Sequence, residues 1–88
     1  MMKVKVKRGG EGLHPSEVIV TVRTTDGEQT LVIDRRSILN GDFLGVGFPV
    51  REDGENLLIE LPRETSTGSW RVWVNKNQTE DEPERRYA

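Results

Sequence analysis

The side chains in this sequence that are best suited to chemistry are basic and aromatic ones on short alternating segments. Arg71 and Trp73 alternate with valines in the segment SWRVWVN, so a β-strand there would place both on one face. Lysines alternate with valines near the N-terminus, and an arginine lies on the next strand-like segment. These basic residues are Lys3, Lys5, Lys7 and Arg23. A basic face with an aromatic ring is typical of weak single-stranded nucleic-acid binding, which is one functional hypothesis.

The sequence contains few side chains that are suited to catalysis or metal binding. The chain has no cysteine and one histidine, His14, which lies beside Pro15 in a glycine-rich segment. A thiol nucleophile, a cysteine-based zinc site and a pair of histidine ligands are therefore excluded. The carboxylates Asp34, Asp42 and Glu60 follow no spacing that predicts a pair across one site. We expect no enzyme activity, no cofactor and no metal site, and a small enzyme ranks third among the hypotheses.

Length and charge narrow the class of protein further. The 88 residues suffice for one small domain, and 33% of them are hydrophobic against 32% charged. The formal net charge of −2 provides no overall field that would draw the chain onto a phosphate backbone. No apolar run approaches the roughly 18 residues of a membrane span, and the N-terminal segment is too polar for a signal peptide. Together with the lack of cysteine, this predicts a cytoplasmic protein of bacterial type without membrane contact.

Alternation of apolar and polar residues predicts an all-β fold. Two Asp-Gly pairs, Asp26-Gly27 and Asp53-Gly54, are flanked by alternating segments and predict two β-hairpins. Six short strands with frequent turn signals and no long helix indicate an antiparallel six-stranded barrel or sandwich, with an SH3-like barrel as the first choice. The predicted strands cover 3–7, 17–24, 29–33, 43–50, 56–61 and 69–75. We assign 1–75 to this domain and 76–88, which is charged and lacks an apolar pattern, to a flexible tail.

Alternate residues of a strand point to opposite faces, so the position of a residue along its strand (its parity) assigns it to a core face or an outer face. The predicted core residues are Val4, Val6, Val18, Val20, Val22, Leu31, Ile33, Leu44, Val46, Phe48, Leu57, Ile59, Leu61, Trp70, Val72 and Val74. A second apolar set falls on the opposite parity and comprises Ile19, Val32, Phe43, Leu58 and Trp73. A contiguous exposed apolar area on a small protein usually marks an interface, whereas scattered or self-covered residues carry no such meaning.

The leading hypothesis is a non-catalytic binding or assembly module that acts through this outer face. Its candidate binding residues are Trp73, Arg71, Phe43, Ile19, Val32 and Leu58. The partner would be another protein or a second copy of the chain, with nucleic acid as the competing alternative. Whether the outer residues are covered by the domain's own fold decides how much of this hypothesis survives.

Overall fold

The structure, a computed structural model, describes residues 2–11, 14–39 and 42–81, with the backbone alone at Glu11. Within these ranges the regular elements are short antiparallel strands and two single 3₁₀ turns. The strands are β1 (Met2–Lys5), β2 (Lys7–Glu11), β3 (Glu17–Thr24), β4 (Gly27–Asp34), β5 (Ile38–Leu39), β6 (Phe43–Val46), β7 (Arg51–Asp53), β8 (Asn56–Glu60), β9 (Arg71–Asn75) and β10 (Thr79–Asp81). The 3₁₀ turns are η1 (Arg35–Ser37) and η2 (Lys76–Gln78).

The described strands form three small sheets, and none of them closes on itself. Sheet A has the order β10-β1-β6-β5, sheet B the order β2-β3-β4, and sheet C the order β7-β8-β9. The predicted small all-β domain is confirmed, but the six-stranded barrel is not. One reason is a change of sheet after Val6, whose backbone N–H donates to the Asp42 carbonyl at 2.8 Å and so continues the β1–β6 register. From Lys7 onward the chain pairs with β3 instead. The N-terminal segment therefore supplies two strands to two different sheets.

Both predicted Asp-Gly hairpins are present. The turn between β3 and β4 has Gly27 at φ 103°, and the turn between β7 and β8 has Gly54 at φ 60°. Side chains with a Cβ rarely adopt these positive φ values, so glycine at these two places fixes the turn and, with it, the strand register.

The buried core agrees with the predicted core except at three positions. Met2 joins the buried set, while Phe48 and Trp70 are 79% and 56% exposed and were wrongly assigned to the core. The buried apolar residues are Met2, Val4, Val6, Val18, Val20, Val22, Leu31, Ile33, Leu44, Val46, Leu57, Ile59, Leu61, Val72 and Val74.

The two errors arise where a strand ends. β6 stops at Val46, because Gly47 and Pro49 interrupt the alternation, so the parity of Phe48 no longer describes its direction. Trp70 precedes β9, and its carbonyl still accepts a hydrogen bond from the Leu61 N–H at 2.8 Å. Its backbone is thus held beside β8, but the core layer that covers Val72 does not extend over the Trp70 ring.

The folded domain extends past residue 75, where the sequence predicts the start of a flexible tail. Asn75 and Gln78 form a capping box around η2, which leads into β10. β10 pairs with β1, with Glu80 opposite Lys3, so β1 is a central strand of its sheet. The domain therefore reaches Asp81, and the rest of the predicted tail, 82–88, lies outside the described residues.

Candidate functional site

The five outer apolar residues lie in three different sheets. Ile19 and Val32 are direct cross-strand partners in sheet B, Leu58 and Trp73 are direct partners in sheet C, and Phe43 lies in sheet A. Each of the five is only half-buried. Four of the five residues thus form two separate cross-strand pairs. The predicted set does not form one patch on one sheet face.

Phe43 is covered by the domain's own fold. The Lys3 ammonium lies 4.9 Å from the centre of the Phe43 ring, and Lys3 is only 5% exposed. Glu80 approaches the same ammonium, with Nζ 4.0 Å from Oε1. Gly45 lies directly across from Lys3 and has no side chain, so the lysine stem has room to lie along the sheet. Lys3 is consequently a packed residue, and the prediction of a solvent-facing lysine at this position is wrong.

The predicted basic and aromatic face is not assembled on one surface. Arg71 lies across from Glu60 and contacts its carboxylate, with Nε 3.4 Å from Oε2. Trp73, two residues further on, packs beside Leu58. With Lys3 buried and Arg71 paired, only Lys5, Lys7 and Arg23 of the predicted basic set come together, in a separate place described below.

An open cleft of about 510 Å³ lies beside β4, and we name it the apolar cleft. Ile19 and Val32 form its floor on the outer face of sheet B. The segment from Pro62 to Ser66 and the ring of Trp70 form its wall. The cleft therefore brings together Ile19 and Val32, which were predicted on the outer face, and Trp70, which was predicted in the core.

Hydrogen bonds hold the wall segment in a fixed conformation. Thr65, which is 5% exposed, donates its N–H to the Ser69 carbonyl at 2.9 Å and accepts the Ser69 N–H on its hydroxyl at 3.1 Å. Gly68 closes this turn at φ 86°. The Ser66 N–H donates to the Thr30 carbonyl at 2.7 Å and so ties the wall to β4. The wall is thus shaped before any ligand arrives.

An ion pair involves one of the residues that line the apolar cleft. Arg63 in the wall contacts Glu17 at the start of β3, with Nη1 3.5 Å from Oε2. Because β4 lies between the wall and β3, this contact reaches over β4. The Glu17 side chain is 19% exposed, so the pair is partly shielded from water.

The edge of β4 is partly unpaired along the cleft. Backbone groups of an antiparallel edge strand point outward at every second residue. The Thr30 carbonyl points outward, since it receives the Ser66 N–H, and Val32 shares that direction. Among the backbone hydrogen bonds that the described residues form outside their ladders, none uses the N–H or C=O of Val32. The apolar cleft therefore combines apolar side chains with free strand-edge groups.

A second cleft, of about 340 Å³, gathers basic side chains, and we name it the basic cleft. Lys5 and Lys7 flank the bend at Val6, one at the end of β1 and the other at the start of β2. Lys7 lies opposite Thr21, and Arg23 follows two residues further along the same face of β3. Lys5, Lys7 and Arg23 all line the cleft and are exposed.

The carboxylates considered for catalysis do not form a pair across one site, and two of them, Asp34 and Glu60, contact arginines. Asp34 accepts the Arg36 N–H at 2.8 Å and caps η1, and its carboxylate also contacts the Arg36 guanidinium. The side-chain hydrogen bond from Arg36, followed by the backbone one, lowers the pKa of Asp34. Glu60 contacts Arg71, as described above. In the part of the chain that the structure describes, no three histidine or acidic side chains are placed to hold one metal ion, and no helix has the length and hydropathy needed to cross a bilayer.

Searches against protein-family models, curated proteins and solved structures find no match to this chain, so a functional proposal has to be built on the two clefts themselves.

Proposed function

We propose that this chain is a non-catalytic protein-binding module that holds an extended segment of a partner protein in the apolar cleft. The observation that carries the proposal is the ring of Trp70, which is 56% exposed beside the floor of Ile19 and Val32. Exposed tryptophan next to apolar side chains is a common binding determinant, because burial of a large ring gains much free energy at a small cost in side-chain entropy.

Strand addition is the binding mode that fits this cleft. An extended segment alongside Val32 would receive backbone hydrogen bonds from the free edge of β4. Its alternate side chains would face Ile19 and Trp70, because side chains in a strand point to each face in turn. The occupant is therefore an extended segment with an apolar anchor. The lack of cysteine supports a reducing compartment, and we propose the cytoplasm as the place of action.

The test is selection of random linear peptides on the immobilised protein, followed by affinity measurement by calorimetry. We expect the selected peptides to share an apolar anchor and to bind Trp70→Ala at least about tenfold more weakly, which is typical of loss of a tryptophan at an interface. Val50→Ala is the matched control, since Val50 is also exposed, at 42%, and lines neither cleft. Equal binding by wild type and Trp70→Ala would overturn the proposal.

Sedimentation of the wild type and of Trp70→Ala tests whether a second copy of the chain occupies the apolar cleft. We expect both to sediment as monomers at micromolar concentration. A wild-type dimer that Trp70→Ala dissociates would mean that a second copy of the chain occupies the cleft, which contradicts binding of a partner segment.

A further inference from the structure

The basic cleft is distinguished by the convergence of its charges on one space. Lack of an ion pair alone does not distinguish it, since Arg8, Arg35 and Arg51 also form none in the described ranges. Elsewhere in the described ranges, basic side chains lie within 4.0 Å of a carboxylate at five positions, namely Lys3, Arg36, Arg63, Arg71 and Lys76. Lys5, Lys7 and Arg23 form no ion pair with the residues that the structure describes, although they share one cleft. Three unpaired cations that converge on one space raise the local potential for an anion.

The basic cleft is also held in place by its surroundings. The side-chain amide of Gln78 donates to the Arg23 carbonyl at 2.9 Å and accepts the Asn75 N–H at 3.1 Å, which fixes η2 against β3. Val6 between the two lysines is buried, so the bend that separates them is anchored in the core. The backbone positions of the three basic residues are therefore set without a ligand.

We infer that the basic cleft binds carboxylates of an acidic stretch in the same partner segment that occupies the apolar cleft. This inference rests on the proposed function and deepens it by naming the partner's chemistry. The anion is more consistent with an acidic peptide than with nucleic acid, because the lining, among the described residues, contains no aromatic ring for base stacking.

The two clefts lie along one strand face at a spacing that one extended segment can span. Ile19 in the apolar cleft and Arg23 in the basic cleft are both on the outer side of β3. They are four residues apart along the strand, which corresponds to about 13 Å. Thr21 and Thr30 fill the space between them, with their hydroxyl oxygens 3.5 Å apart. Because Ser66 occupies the β4 edge at Thr30, the partner segment would leave that edge beyond Val32 and cross the outer face of sheet B. It would thus carry its carboxylates about four residues from its apolar anchor.

The first experiment uses hexaglutamate, which has no apolar anchor and so tests the basic cleft by itself. We expect amide shifts at Lys7, Thr21 and Arg23 in nuclear magnetic resonance titrations at low salt, and their disappearance at high salt. The double variant Lys7→Gln/Arg23→Gln should bind about three- to tenfold more weakly, as expected for two exposed charge contacts. Arg51→Gln is the control, because Arg51 is exposed on β7 and lines neither cleft.

The outcomes separate this inference from the proposed function. Absence of hexaglutamate binding, or equal binding by wild type and the double variant, overturns the inference, whereas the Trp70→Ala result is not affected. Tighter binding of oligothymidylate than of hexaglutamate through the same two residues overturns it in favour of nucleic acid. The supporting result is that three glutamates placed four residues from the anchor of a selected peptide strengthen binding at least threefold in the wild type and not in the double variant.

Discussion

Phe43 and Trp70 are both large aromatic residues that reach the surface, but they differ in what covers them. Phe43 has the Lys3 ammonium 4.9 Å from the centre of its ring, and Lys3 in turn contacts Glu80 of β10. Trp70 lies at the end of sheet C, where no strand or side chain of the described residues buries its ring. The comparison shows that an outward aromatic is a binding candidate only where the domain's own chain does not cover it.

The largest expected effect is the loss of unfolding free energy when a core residue is truncated, compared with the loss when Trp70 is truncated. Ile59, with no exposed surface, should lose about 2–5 kcal/mol of unfolding free energy on change to Ala, because a cavity is left in the core. Trp70→Ala should lose less, about 1–2 kcal/mol, because more than half of the residue already faces water. Urea denaturation measures both values. A loss for Trp70→Ala as large as that for Ile59→Ala would make Trp70 a core residue and remove the basis of the comparison.

An intermediate effect concerns the cover over Phe43. Lys3→Ala should lower the unfolding free energy by about 1–2 kcal/mol, because the buried stem of Lys3 packs along the sheet beside the ring. Lys5→Ala, two residues along the same strand and exposed, should change it by less than about 0.5 kcal/mol. Lys3→Met keeps the apolar stem and should recover part of the loss. Equal values for Lys3→Ala and Lys5→Ala would show that Phe43 needs no cover.

The smallest expected effect is a pH dependence of the folding stability that arises from Asp34, at the end of β4. The hydrogen bonds from Arg36 lower the pKa of Asp34 below its ordinary value of 3.8. The carboxylate thus contributes stability above that ordinary value, and the contribution is lost as the pH falls through the lower folded-state value. Arg36→Gln should raise the pKa of Asp34, measured from the chemical shift of its carboxyl carbon.

Arg35→Gln provides the control for this titration. Arg35 donates to the Pro15 carbonyl at 3.1 Å and is not among the groups that shift Asp34, so its removal should leave the Asp34 pKa unchanged. An Asp34 pKa that Arg36→Gln does not raise would show that the cap of η1 is held by the backbone alone.

Much of the fold follows from local sequence patterns, whereas the candidate site follows only in part. Alternation identified the buried valines of β3, and the Asp-Gly pairs located both hairpins. The same alternation correctly placed Ile19 and Val32 on the outside, where they form the floor of the apolar cleft. It failed for Trp70, because parity gives the direction of a side chain but not the extent of the layer opposite. No local signal in the sequence shows that the wall segment folds back onto β4, where Ser66 bonds to Thr30.

The sequence by itself determined the β class, the two hairpin turns, nearly all of the core and the thin catalytic inventory, because each depends on residues close together in the chain. Tertiary structure alone decided that β10 covers the far side of β1 and buries Lys3, that Trp70 stays uncovered, and that Lys5, Lys7 and Arg23 meet in one cleft. These outcomes depend on pairings between segments up to 79 residues apart, as Met2 and Asp81 are, since β1 and β10 come from opposite ends of the described chain. Which outward side chains remain free to bind is set by those distant pairings, and local alternation contains no information about them.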